Sequence, residues 1–212
     1  MRIKKLGHCC LVIEEKGKKI MTDPGSWTVE EQIKETNIDL IIITHEHGDH
    51  IHIDSLKTIL LNNPDAHIIT NAGVGKLLDK EGIKYEILEN KLSKDFFGVE
   101  IESHSCKHEE IYKEIGQVEN TGFFIGQRLF YPGDSFYNPE KQVEILALPV
   151  AGPWANVKDS VNYALAIKPK ICFPIHDGML KSFGANHVIT MKVLKENGID
   201  FISFEEINEA EF

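Results

Sequence analysis

One stretch constrains this chain more than any other. Leu40-Ile41-Ile42-Ile43-Thr44 is a continuous apolar, β-branched run, and it leads directly into His45-Glu46-His47-Gly48-Asp49-His50. A run of that length without polar alternation reads as a strand covered on both faces, as in the parallel part of a layered α/β sheet. Its covered end is followed at once by three imidazoles and the Asp49 carboxylate. The fold must therefore bring a buried strand to an open, polar sheet end, where α/β proteins place their active sites.

Imidazole nitrogen and carboxylate oxygen are ligands for zinc and similar first-row metals. Side chains two apart in an extended stretch share a side, so His45 and His47 can clasp one ion. A turn at Gly48 would aim Asp49 and His50 at a second ion. Other strand ends supply further donors: His108 after the 99–105 run, with His104 near the end of that run, Asp134 in Tyr131-Pro132-Gly133-Asp134-Ser135, and His176 in Phe173-Pro174-Ile175-His176-Asp177-Gly178. Histidine is the one compositional oddity, at ten residues.

The rest of the pattern is many short strands with helices between them. Strands are expected over 1–6, 11–15, 19–22, 40–44, 67–70, 84–88, 99–105, 122–125, 128–131, 145–149, 171–175 and 201–204. Helices are expected over 28–36, 54–61 (capped by Asp54 or Ser55), 72–80, a face carrying Val157, Val161, Ala164 and Leu165, and 187–197 before Gly198. Buried strands under helices in both halves predict an α/β, four-layer αββα sandwich, with residues 1–212 forming a single domain. A net charge of −10 argues against a broad nucleic-acid-gripping surface. No apolar run is long enough to span a membrane. The first residues lack an apolar signal core, and the four cysteines are sparse, so a reduced, cytoplasmic protein is expected.

The chain resembles the metallo-β-lactamase superfamily, on the complete His45-x-His47-x-Asp49-His50 motif and the order of Asp23, a later His, Gly133-Asp134 and Ile175-His176. Gly7-His8-Cys9-Cys10 and Pro174-Ile175-His176 give a narrower likeness to small stand-alone hydrolases related to ascorbate-6-phosphate lactonase. The resemblance implies the αββα fold and two divalent ions, zinc by default, with manganese or iron as alternatives. His45, His47 and a third His would hold one ion, and Asp49, His50 and His176 the other. Asp134 would bridge them. The third His is expected to be His108, which precedes Glu109-Glu110-Ile111 and the Asn120-Thr121-Gly122 lead into the next strand; His104 belongs to the strand itself.

Asp23 is implied to accept a hydrogen bond from a ligand imidazole, the alternative being a turn residue before Pro24. His8 lines the cleft as a proton donor or substrate contact, or else is simply a hydrogen-bonded, partly buried histidine. Trp154 forms an apolar wall of the pocket or packs on the helix at Val157. Lys181 reads as a solvated lysine rather than an anion contact, and Cys106 is not needed as a ligand.

Such a site would hydrolyse a small ester, lactone, amide or phosphorylated metabolite, with Asp49 orienting the attacking hydroxide and taking up its proton. A phosphodiesterase or nuclease on the same fold is the alternative, and a non-catalytic metal-binding module a weaker one. The expected partner is a small molecule, with no nucleic acid and no membrane; self-association into a homo-oligomer stays open. No inserted nucleic-acid-binding domain or appended helical domain is expected.

Overall fold

The computed structural model describes residues 1–205 and 207–212. Among the described residues, fourteen strands lie in two seven-stranded sheets. The first sheet is built from β1 (Arg2–Gly7), β2 (Cys10–Glu15), β3 (Lys18–Thr22), β4 (Leu40–Ile42), β5 (His67–Thr70), β6 (Glu86–Ile87) and the late strand β14 (Glu209–Glu211). The second holds β7 (Ser93–Phe96), β8 (Val99–Lys107), β9 (Glu119–Ile125), β10 (Leu129–Tyr131), β11 (Ile145–Pro149), β12 (Ile171–Ile175) and β13 (Asp200–Phe201). The helices are α1 (Val29–Gln32), α2 (Ile53–Asn62), α3 (Ala72–Lys80), α4 (Val157–Ile167) and α5 (Gly184–Glu196).

Strand order runs β14-β1-β2-β3-β4-β5-β6 in one sheet and β13-β12-β11-β10-β9-β8-β7 in the other. In both, an antiparallel meander gives way to parallel strands, at β3–β4 in the first and β10–β11 in the second. The period of two in β4 explains the layering. Leu40 and Ile42 face the second sheet, packing with Ile101, Phe123, Ile125 and Phe173, whereas Ile41 and Ile43 pack with Leu56 and Ile59 of α2 and Val74 and Leu78 of α3. On the far side, Leu146, Leu148 and Cys172 pack under Tyr163 and Ala164 of α4 and Leu194 of α5. Three apolar clusters between four layers make the αββα sandwich, and each buried Leu, Ile or Phe contributes about 1.5–3 kcal/mol.

Several expected elements differ in extent. The 28–36 helix shrinks to Val29–Gln32, because past Ile33 the backbone bonds tighten to three-residue spacing, Lys34 to Glu31 and Glu35 to Gln32. Helix α2 is capped by His52, whose Nδ1 accepts from the Ser55 N–H, so neither Asp54 nor Ser55 is the cap. The 201–204 strand reduces to Asp200–Phe201, and α5 begins at Gly184. Strands β7 and β14 were not expected, since SKDF and EAE carry no apolar alternation. No helix among the described residues is long and apolar enough to cross a membrane.

Candidate metal centre

Both sheets deliver polar side chains to one edge. From the first come His8 in the β1–β2 turn, Asp23 after β3, and His45, His47, Asp49 and His50 after β4. From the second come His108 after β8, Asp134 after β10, Trp154 after β11 and His176 after β12. Donor atoms of His45, His47, His108 and Asp134 lie within 4.8 Å of one another, as do those of His8, Cys9, His50 and His176. His104 lies inside β8, pairs across to Gly122, and faces Phe130 and Tyr137 away from this group.

Backbone bonds close the turn after β4. His50 and Ile51 N–H both donate to the His47 carbonyl, at 2.9 and 3.0 Å. The chain does turn over Gly48–His50, as expected from the sequence, although Gly48 does not take a left-handed φ. The required glycine is Gly25, where a β-carbon would fall 1.7 Å from the Asp49 carbonyl oxygen, so the chain after β3 packs directly against the histidine loop.

The hydrogen bonds assign the imidazole tautomers. Nδ1–H of His45 donates to Thr44 Oγ1 at 3.0 Å, and the Thr44 hydroxyl donates onward to Asp23 Oδ2 at 2.8 Å. His50 Nδ1–H donates to Asp23 Oδ2 at 2.7 Å, His108 Nδ1–H to the Glu109 carbonyl at 2.6 Å, and His176 Nδ1–H to the Ala151 carbonyl at 2.8 Å. Asp23 thus accepts from a site imidazole, and also from the Thr44 N–H and the Tyr131 hydroxyl.

With Nδ1 engaged, each of these rings turns Nε2 toward Asp134. Nε2 of His50 is 3.1 Å from Oδ1, and those of His108, His176 and His45 are 3.2, 2.9 and 3.8 Å from Oδ2. The carboxylate and rings are buried; Nε2 of His45, His50 and His176 and Oδ1 of Asp134 have no hydrogen-bond partner among the described residues. Lone pairs facing a buried carboxylate are costly unless protons or a cation stand between them. Protons show the same demand. Burial opposes charge on His176, yet Asp134 and Asp49 raise its pKa to about 10. Burial likewise opposes charge on His50, and Asp134, Cys9 and Asp23 raise it. Burial would lift the Asp134 carboxyl, but His50 and His176 hold it well below the ordinary range. This donor set fits divalent cations: nitrogen and carboxylate oxygen, preoriented and otherwise unsatisfied.

His8 has the opposite tautomer. Its Nδ1 accepts the Gly178 N–H at 3.1 Å, so its Nε2–H donates to Asp49 Oδ2 at 3.2 Å. The half-exposed Trp27 stacks on it at 4.6 Å. His8, Asp23 and His176 all hold left-handed backbone, at φ 46, 38 and 59°. Such conformations cost non-glycine residues about 1–3 kcal/mol each and collect at functional sites. Trp154 is almost wholly buried, edge-on to His108, His176 and Phe136.

Sequence reasoning missed Tyr131, Trp27 and Lys5. Tyr131 was read only as a strand residue, Trp27 lies just past Asp23-Pro24-Gly25, and no local signal marks Lys5. Lys5 donates to Asp177 Oδ2 at 2.6 Å and to the Pro174 carbonyl at 2.8 Å, behind His176.

Residues 2–176 match the family model of the β-lactamase superfamily domain. Protein Rv0786c of Mycobacterium tuberculosis is 32% identical over 190 residues, covering 85% of each chain. A UPF0173 metal-dependent hydrolase of Carboxydothermus hydrogenoformans is 27% identical over 194 residues, covering 83% of this chain and 84% of its own. The structure of Igni18, a metallo hydrolase from Ignicoccus hospitalis, superposes with a TM-score of 0.78 at 18% identity, covering 100% of this chain and 98% of that one. Fold and family agree: this chain belongs to the metallo-β-lactamase superfamily. It is a metal-dependent hydrolase with that fold.

Proposed function

We propose that the centre holds two divalent ions, zinc by default, and hydrolyses a small ester, lactone, amide or phosphorylated metabolite. His45, His47 and His108 would hold one ion, and Asp49, His50 and His176 the other, with Asp134 shared. One observation carries this reading: four imidazoles with Nδ1 protons committed elsewhere converge their Nε2 atoms on one buried carboxylate. Ions bound there would supply a nucleophile from water at neutral pH and polarise the scissile group.

The chain's own groups define the rest. Asp49 is more open than Asp134, at 23% side-chain exposure against 1%. The half-buried His47 and Asp49 therefore mark the side from which substrate approaches. Burial would raise the Asp49 carboxyl, but His176 and His8 hold it far below the ordinary range. A carboxylate held ionised in this way accepts hydrogen bonds and orients the attacking water. His8 fixes that carboxylate through Nε2–H, its ring clamped between the Gly178 N–H and the Trp27 face.

The test is the metal-to-protein ratio by plasma mass spectrometry after anaerobic reconstitution. A ratio near two supports the paired site; a ratio at or below one overturns it. Substrate screening would start with lactones and phosphorylated sugar acids.

A further inference from the structure

Trp154 carries a donor that the fold leaves unused. Its Nε1–H is buried and has no acceptor among the described residues, although the residue is only 8% exposed. Buried indole N–H groups almost always find a partner. The surroundings locate this one. A β-carbon built on Gly152 would stand 3.0 Å from Nε1 and 3.4 Å from His176 Cε1. Nε1 and the edge of His176 therefore flank the same corner, which glycine alone leaves unfilled. The indole ring is 5.7 Å from the His108 ring and 5.3 Å from the His176 ring, so it spans both halves of the centre. Nε2 of His176, which lies 2.9 Å from Asp134, is unpartnered as well, as are Nε2 of His45 and His50 and Oδ1 of Asp134 around that carboxylate. The indole is thus one more polar group there that the protein alone does not satisfy.

The other atoms of that set are acceptors when the imidazoles are neutral; Trp154 is a donor only. A cation can satisfy the acceptors, but it cannot satisfy an N–H. The donor needs an oxygen. We propose that Trp154 is a catalytic residue that donates its indole N–H to an oxygen of the substrate's reacting group, where negative charge collects as the bond to water forms. The inference rests on the hydrolase reading above. It gives the tryptophan a polar task in addition to walling the pocket. A fixed donor of this kind, in a site closed to solvent, stabilises developing oxyanion charge without reorganising.

The probe is methylphosphonate, a small tetrahedral anion, added to zinc-loaded, ¹⁵N-labelled protein whose metal content has been measured first. The chain has two tryptophans, so the spectrum shows two indole N–H signals, and Trp154→Phe identifies one by its loss. Binding is expected to move the Trp154 signal downfield and leave that of Trp27 in place. Trp154→Phe, at unchanged zinc content, is expected to bind the anion at least about tenfold more weakly, as for a lost hydrogen bond to a charged group. A Trp154 signal that stays put while the anion binds overturns the proposal, and this needs no variant. Equal affinity in Trp154→Phe overturns it too, as does a zinc-loaded wild type that binds no anion. Wild type that holds no zinc overturns the hydrolase reading and this proposal together, and the metal measurement shows which failure has occurred.

Discussion

Each of four imidazoles around Asp134 turns Nε2 inward because its Nδ1 proton has an acceptor outside the cluster. Asp23 is the acceptor whose loss is easiest to read, since it serves His50 directly and His45 through Thr44. Asp23→Asn is expected to weaken metal retention by about 10–100-fold, the usual effect of losing a partner that orients a ligand. Competition against a chromogenic chelator measures it, and unchanged retention would show that Asp23 has no part in holding metal. His108→Ala should lower bound metal by about one ion per chain, whereas His104→Ala should leave it unchanged; the reverse result would move the ligand assignment to His104. The donors themselves were readable in sequence, because His45, His47, Asp49 and His50 follow a recognisable strand within six positions. Their orientation was not. Two of the acceptors are backbone carbonyls, Glu109 and Ala151, and a carbonyl leaves no trace in residue identity.

Elements set the angles at which these residues meet. Strand β12 leads directly into His176 at a left-handed φ, and the following turn is pinned to the first sheet by Lys5, by His176 N–H to the His8 carbonyl, and by Gly178 N–H to the His8 ring. The Lys5–Asp177 pair is 7% and 2% exposed, and without Lys5 the buried Asp177 carboxylate keeps the His187 ring at 3.1 Å as a side-chain partner. Lys5→Met should therefore destabilise the protein by about 3 kcal/mol, the low end for breaking a buried pair. It should also speed amide exchange over residues 176–183 beyond the global change. A fall in Tm with exchange there raised no more than elsewhere would mean that Lys5 supports the sheet and does not hold the turn. Strands β4, β11 and β12 were legible because continuous burial writes continuous apolar sequence. Strands β7 and β14 were not, because an exposed edge strand is selected for charge and its pairing is decided by the neighbour.

At the scale of the whole molecule, the two sheets have the same order and contribute to one centre from opposite sides. A cation held there would link them only in the folded state. Saturation at a hundred times Kd would then add about 2.7 kcal/mol of stability per site. For a chain of this size that corresponds to a rise in Tm of about 5–10 °C for each zinc ion bound, relative to chelated protein. An unchanged Tm would separate the ions from the fold.

Acid sensitivity should have a component remote from the centre. Glu35 accepts from Lys4 at 2.6 Å and Lys19 at 3.1 Å. Burial would raise its carboxyl, and the two lysines lower it overall. A depressed folded pKa contributes stability above the ordinary glutamate range and loses it as pH falls through the folded value. In chelated protein, Glu35→Gln should lower Tm by a few degrees at pH 7, about 1 kcal/mol. That difference should close toward pH 3, whereas a constant difference would assign the effect to packing.

The sheet rims carry a consequence for how the protein behaves when concentrated. The first sheet ends in β14 and β6, and the second in β7 and β13. These rims are two to four residues long, and every one carries charge: Glu209 and Glu211, Glu86, Lys94 and Asp95, and Asp200. A neighbouring chain that tried to extend either sheet would find a ladder too short to grip and a charge to desolvate. Strand-by-strand growth from the native edges is thereby disfavoured, and cross-β aggregation should begin from chains that have first come open.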